Sequence, residues 1–148
     1  MASYTIRQVR WHEHMDVLRA IRYAVFVQEQ RVPIEEEWDG RDAAAIHVLA
    51  TVPDHRPVGT ARLLASGQIG RMAVLRDYRR QGIGGALLGE LLRIAAANNM
   101  HALFLNAQID AVDFYRRHGF IEQGETFVEA GITHRRMILL RSDAPAVK

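Results

Sequence analysis

The stretch from Gln68 to Asn106 constrains the fold more than any other part of the chain. Gln68 to Val74 reads as a strand, Gly82 to Ala97 carries a helical stripe of Ile83, Leu87, Leu88, Leu91, Leu92 and Ala95, and Ala102 to Asn106 is a short apolar run that reads as a buried strand. A strand, a helix of about four turns and a second strand in direct succession make a crossover, so the two strands are expected to lie parallel. The other connections are too short for that. Pro53 to Pro57 and Ser66-Gly67 separate strand-like segments at Ala45 to Thr51, Val58 to Leu64 and Gln68 to Val74, and such links suit antiparallel neighbours. The expected class is a mixed α/β (α+β) fold. Its central, mostly antiparallel sheet is flanked by helices and splays between the strand ending at Val74 and the strand Ala102 to Asn106.

The remaining segments fit around this unit. Tyr4 to Arg10 alternates as a first strand, and Met15 to Phe26 places Val17, Leu18, Ile21, Val25 and Phe26 at helical spacing. Glu35 to Glu37, after Pro33 and before Asp39-Gly40, reads as a polar loop with a solvated face. Ala111 to Arg117 reads as a brief helix stopped by Gly119, and Phe120 to Gln123 and Thr133 to Leu140 are strand candidates around the turn at Ala130-Gly131. Ser142 to Lys148 is expected to fray. With 148 residues, about half of them apolar, the chain suits one domain over 1–148.

Composition removes several classes of function. The formal net charge is only +2, which favours an anionic small ligand over nucleic acid. No apolar run approaches the roughly 20 residues of a membrane span, and Met1 to Arg7 lacks a signal-peptide core, so a soluble cytoplasmic protein with no membrane partner is expected. The absence of cysteine excludes disulfides, thiolate zinc sites and any cysteine-bound intermediate, and no metal is expected.

The turn Arg79-Arg80-Gln81-Gly82-Ile83-Gly84-Gly85 feeds the long helix. Glycines let a ligand approach the backbone, and the unpaired N–H groups and dipole of a first helical turn favour an anion. The guanidinium forks of Arg79 and Arg80 suit phosphate or pyrophosphate oxygens. This is not a Walker loop, because Gly85-Ala86 stands where Lys-Ser/Thr would follow Gly84. Nor is it a dinucleotide fingerprint, which would require glycine at Leu87 and an acid near Asn106. A glycine-rich helix start that merely packs tightly beside an exposed arginine pair remains the alternative.

The string Met72 to Leu88 resembles the acetyl-CoA-binding motif of the GCN5-related N-acetyltransferase (GNAT) superfamily, Gln/Arg-x-x-Gly-x-Gly/Ala, with Arg79, Gly82 and Gly84 at its specified positions. Phe114-Tyr-Arg-Arg-His-Gly-Phe120 is similar to that superfamily's later motif. Val25 to Pro33 and Phe127 to His134 more narrowly resemble its ElaA-type branch.

The resemblance implies an acetyl-CoA-dependent N-acetyltransferase that uses acetyl-CoA as cosubstrate and a small-molecule or peptide amine as acceptor. The N–H groups of Gln81, Gly82, Ile83, Gly84 and Gly85 would hold the pyrophosphate, with Arg79 and Arg80 close by. Met72, Ala73 and Val74 would offer main-chain partners to the pantetheine arm on a splayed or bulged strand, where an unpaired N–H could stabilise the developing oxyanion. Asn106 would bond the same arm, unless it merely caps its strand. Tyr115 occupies the position of a general acid for the departing thiolate, and it also suits packing on a short helix. Glu29, Glu37, Asp39, His47, Glu129 and His134 are the side chains that the branch resemblance brings toward the acceptor, and any of them could be the base. Each could equally be a surface charge or a satisfied strand histidine, and Arg62 and Arg71 could pair with the acids. A non-catalytic acyl-CoA-binding regulatory module is the alternative function. A phosphate patch of Arg79, Arg80, Arg116 and Arg117 for nucleic acid is weaker still. The tail strands could pair across a homodimer.

Overall fold

The computed structural model describes residues 3–140. Its elements in chain order are β1 (Thr5–Val9), α1 (Trp11–Arg22), a π-helical segment (Tyr23–Glu29), α2 (Ile34–Glu37), β2 (Ile46–Val52), β3 (Arg56–Leu63), β4 (Gln68–Val74), α3 (Ile83–Ala97), β5 (Ala102–Gln108), α4 (Val112–Arg117), β6 (Ile121–Glu129) and β7 (Ile132–Leu140). The strands form one seven-stranded sheet in the order β1-β2-β3-β4-β5-β7-β6. Every pairing is antiparallel except β4 with β5, which run parallel as the crossover through α3 requires. The fraying expected for Ser142 to Lys148 lies outside the described residues.

Two apolar layers sandwich the sheet. On one face α3 buries Ile83, Leu87, Leu88, Leu91, Ile94 and Ala95 against Val48, Ala61, Leu63, Leu103, Leu105 and Met137. Ile94 takes the inward place expected of Leu92, which is only partly buried. On the other face α1 begins four residues earlier than Met15, at Trp11, and its stripe of Trp11, Leu18, Ile21 and Arg22 packs over Val9, Leu49 and Ala73. Complete burial of side chains such as Leu18 and Ile21 contributes roughly 1.5–3 kcal/mol each. The helix expected to run to Phe26 instead widens at Tyr23 into π geometry, with the Gln30 N–H donating to the Val25 carbonyl at 3.0 Å. Among the described residues no helix is long and apolar enough to cross a membrane.

The parallel pairing is short. Only Gln68 with Phe104 and Ile69 with Leu105 are in register, and beyond them the two strands diverge. The divergence starts where β4 bulges: Thr60 pairs with Ala73 but Arg62 with Gly70, so Ala61 faces two residues, Arg71 and Met72. Arg71 takes the strain with φ of 49°. The extra residue inverts the strand's alternation. Ile69 lies in the α3 core while Ala73, four residues on, lies in the α1 core.

Candidate active site

The splay opens a cavity of about 640 Å³ that passes between β4 and β5. Its α3-side wall includes Met72, Leu105, Ala111 and Tyr115, and its opposite wall includes Phe26, Gln30, Asp39, Arg71, Asn106 and His134. A ligand threaded through the gap would touch both faces of the sheet.

The start of α3 lies outside the lining of this cavity. Gly82 is its N-cap with φ of 86°, a conformation that disfavours any side chain, and no side chain caps the helix. The first intrahelical bond runs from the Ala86 N–H to the Gly82 carbonyl, which leaves the N–H groups of Ile83, Gly84 and Gly85 without a helical acceptor among the described residues. Arg80 is exposed in the left-handed region with φ of 63°. These features fit a pyrophosphate. Arg79 is engaged elsewhere: its Nη atoms donate to both Glu29 oxygens at 2.7 Å and its Nε to the Val74 carbonyl at 2.8 Å. The Arg79 hydrogen bonds hold the Glu29 carboxyl below its ordinary range. Arg79 thus ties the turn to β4 and to the end of the π segment, and Glu29 lies away from the through-sheet cavity.

Tyr115 sits inside the gap because α4 is short and firmly stopped. Gly119, with φ of 93°, ends the helix, and fully buried Phe120 locks the chain into the core, edge-on to Tyr115 at 6.1 Å. The Tyr115 hydroxyl reaches to 3.8 Å from the Met72 sulfur, and burial pushes it up to about 12. It therefore remains a phenol, a hydrogen-bond donor, at any physiological pH. Asn106 faces the cavity from β5, and the Gln30 and Gln108 amides bond each other across it at 2.8 Å.

The wall opposite α3 is built on charge. Glu37, expected in a solvated run, is instead 2% exposed, because Arg22 and Arg71 converge on it from α1 and β4. Arg22 also holds Asp42 at 2.7 Å, and Arg62 joins Asp42 to Asp39 at 3.0 and 2.8 Å. Three guanidiniums thus face three carboxylates: Arg22, Arg62 and Arg71 against Glu37, Asp39 and Asp42. Burial raises the Glu37 carboxyl against the pull of its arginines. Burial would raise Asp39 too, but the Arg62 hydrogen bond, the Arg41 N–H and the charges of Arg62 and Arg71 outweigh it and hold Asp39 at about 2. The pairing expected for Arg62 and Arg71 is present, and Asp42 and Arg22 are the partners that sequence reasoning missed. Arg22 alone carried a signal, since it falls on the buried stripe of α1.

The remaining candidates separate clearly. His47 is buried under α1, stacked on Trp11 at 5.0 Å with Nε2 2.8 Å from the Asp42 carbonyl, and burial lowers it. Glu129 is exposed at the rim of the cavity and His134 is buried in its wall.

The acetyltransferase (GNAT) domain family matches residues 12–141. The uncharacterized N-acetyltransferase YjcF of Bacillus subtilis is 36% identical over 122 residues, covering 80% of this chain and 86% of that protein. Among solved structures, Escherichia coli ElaA superposes with a TM-score of 0.81 at 28% identity, over 91% of this chain and 99% of that one. An acyl-CoA N-acyltransferase from Pseudomonas aeruginosa superposes with a TM-score of 0.78 at 28% identity, over 94% and 99%. The family match spans the α3 turn, the bulged β4 and the Tyr115 helix together, and the chain therefore belongs to the GNAT family of acetyltransferases.

Proposed function

We propose that the protein transfers the acetyl group of acetyl-CoA directly to a primary amine inside a ternary complex. The observation that carries this reading is the position of Tyr115, whose hydroxyl meets Met72 of the bulged strand within a cavity open to both faces of the sheet. Acetyl-CoA supplies the acyl thioester. The N–H groups of Ile83 to Gly85 and the Arg80 guanidinium hold the pyrophosphate, while Arg79 fixes the turn that presents them. Met72 to Val74, unpaired toward β5, bond the pantetheine arm together with Asn106. Glu36 and Glu129 stand at the acceptor mouth, which suits an amine arriving as its ammonium.

Tyr115 acts as a donor toward the sulfur. Complete transfer of its proton to a thiolate, from a phenol near 12 to a thiol near 8.5, is uphill by about 5 kcal/mol. Its contribution is therefore a hydrogen bond to developing negative charge, and Tyr115→Phe should slow turnover toward the low end of the roughly 10²- to 10⁴-fold range of acid–base catalysis while acetyl-CoA still binds. Initial-rate lines for the two substrates should intersect, since the chain has no cysteine to carry the acetyl group. Parallel lines would refute direct transfer, and full activity in Tyr115→Phe would remove that residue from the mechanism.

A further inference from the structure

An alkylamine is mostly protonated at neutral pH, so transfer needs a proton acceptor on the acceptor side of the sheet. The geometry eliminates most of the candidates. Glu29 is consumed by Arg79, and Glu37 is enclosed between Arg22 and Arg71. Asp39 is pinned by two arginines and ionises too readily to be a useful base. His47 belongs to the α1 core. Glu129 is exposed on the edge strand, at the rim of the cavity rather than in its buried wall.

His134 differs from all of these. Its Nδ1 lies 2.7 Å from the Ile132 carbonyl, and because a carbonyl only accepts, Nδ1 carries the proton. In the neutral ring Nε2 then keeps its lone pair, and among the described residues the hydrogen bond given to the ring is the one made by Nδ1. Stacking on Phe127, with centroids 5.8 Å apart and planes 20° from parallel, fixes the ring. The residue is 7% exposed and lines the cavity that Tyr115 enters from the other face of the sheet.

We propose that His134 Nε2 is the general base that deprotonates the acceptor amine. The proposal rests on the acetyl-transfer reading above. The ammonium gives one proton to Nε2, and the freed nitrogen lone pair forms the C–N bond. The C–S bond breaks with its electron pair on sulfur, to which the Tyr115 hydroxyl donates a hydrogen bond; the second nitrogen proton and the imidazolium proton leave to solvent, and the thiolate takes its proton from solvent. The groups that bear on His134 are Gln108 opposite it on β5, Phe127 and Glu129 on β6, Arg136 on β7, and Tyr115 with the Asp39–Arg71 pair across the cavity.

The test uses the full chain with ethylamine and with 2,2,2-trifluoroethylamine, which is already neutral at pH 7, and follows thiol release. His134→Gln and His134→Asn should lose roughly 10²- to 10⁴-fold in kcat/KM with ethylamine and much less with the fluorinated amine, with acetyl-CoA affinity unchanged by calorimetry. Equal losses with both amines, or unreduced activity in the variants, would overturn the assignment. Absence of thiol release by the wild type with these amines, a lysine peptide, a diamine and an amino sugar would overturn the acetyl-transfer reading, and His134 with it.

Discussion

Arg22→Met tests whether the charged wall of the cavity is held by the buried arginine. Arg22 is 1% exposed, sandwiched between Trp11 and Trp38 with its guanidinium carbon 5.7 and 5.4 Å from their rings. It bonds Glu37 and Asp42 at once. Removing it leaves two buried carboxylates against two guanidiniums that already serve Asp39, and breaking a buried pair from one side typically costs about 3–5 kcal/mol. At about 2–4 °C per kcal/mol for a chain of this size, the melting temperature at pH 7 should fall by roughly 6–20 °C. Arg93→Ala is the control: it deletes an ion pair with Glu90 on the outside of α3, where the arginine side chain is 66% exposed, and should shift melting by no more than about 2 °C. The deficit should also depend on pH. Asp42 and Asp39 are held below their ordinary value of 3.8, so the stability they contribute is complete above it and is lost as pH falls toward their folded values. Glu37, raised by burial, runs the other way and offsets part of this. The gap between wild type and Arg22→Met should therefore narrow below about pH 4. A pH 7 melting temperature in Arg22→Met matching that of Arg93→Ala would refute the argument.

Gly82→Val should weaken acetyl-CoA binding at least tenfold by calorimetry, because φ of 86° is closed to a β-branched residue and the α3 cradle would have to rearrange. Glu29→Gln and Arg79→Ala should each weaken that binding severalfold, and the double variant no further, since the pair positions the turn as one unit; additive losses would show Arg79 acting independently of Glu29.

Local pattern made the fold legible where structure is local. The alternation of Gln68 to Val74, the stripe of α3 and the Ala102 run place the crossover, and the crossover fixes the one parallel pairing and hence the splay. What stayed hidden depends on residues far apart in the chain. Glu35 to Glu37 looks solvated because nothing near it announces that Arg22, fifteen residues back, and Arg71, thirty-four residues on, meet at Glu37. The π segment was missed because a 3.6-residue stripe through Val25 and Phe26 cannot reveal where the helix widens, yet that widening ends at Glu29 beside Arg79 and at Gln30 beside Gln108. The glycine turn at the start of α3 was legible because Gly82 and the helical stripe that follows it stand side by side in sequence. The candidate bases were not, because a carboxylate's basicity is set by which arginines reach it.

The bulge at Arg71 joins these two halves of the site. A regular β4 would keep Ile69, Arg71 and Ala73 on one face, putting a guanidinium into the apolar α3 layer at a cost of several kcal/mol. The inserted residue instead carries Arg71 to Glu37 and Asp39 and leaves Met72 on the α3 side, within reach of Tyr115. It also ends the pairing with β5, which opens the gap. One backbone irregularity therefore separates the strand ends, delivers Arg71 to the charged wall and presents Met72 to the α3 side. The salt-bridged loop of Asp39 and Asp42 can be rigid because Arg71 braces it, whereas the Glu29–Arg79 pair, with its carboxylate side chain 25% exposed, braces the cradle from a position solvent can reach. Substitutions in the first network should consequently register mainly as lost stability, and those in the second as lost cofactor affinity.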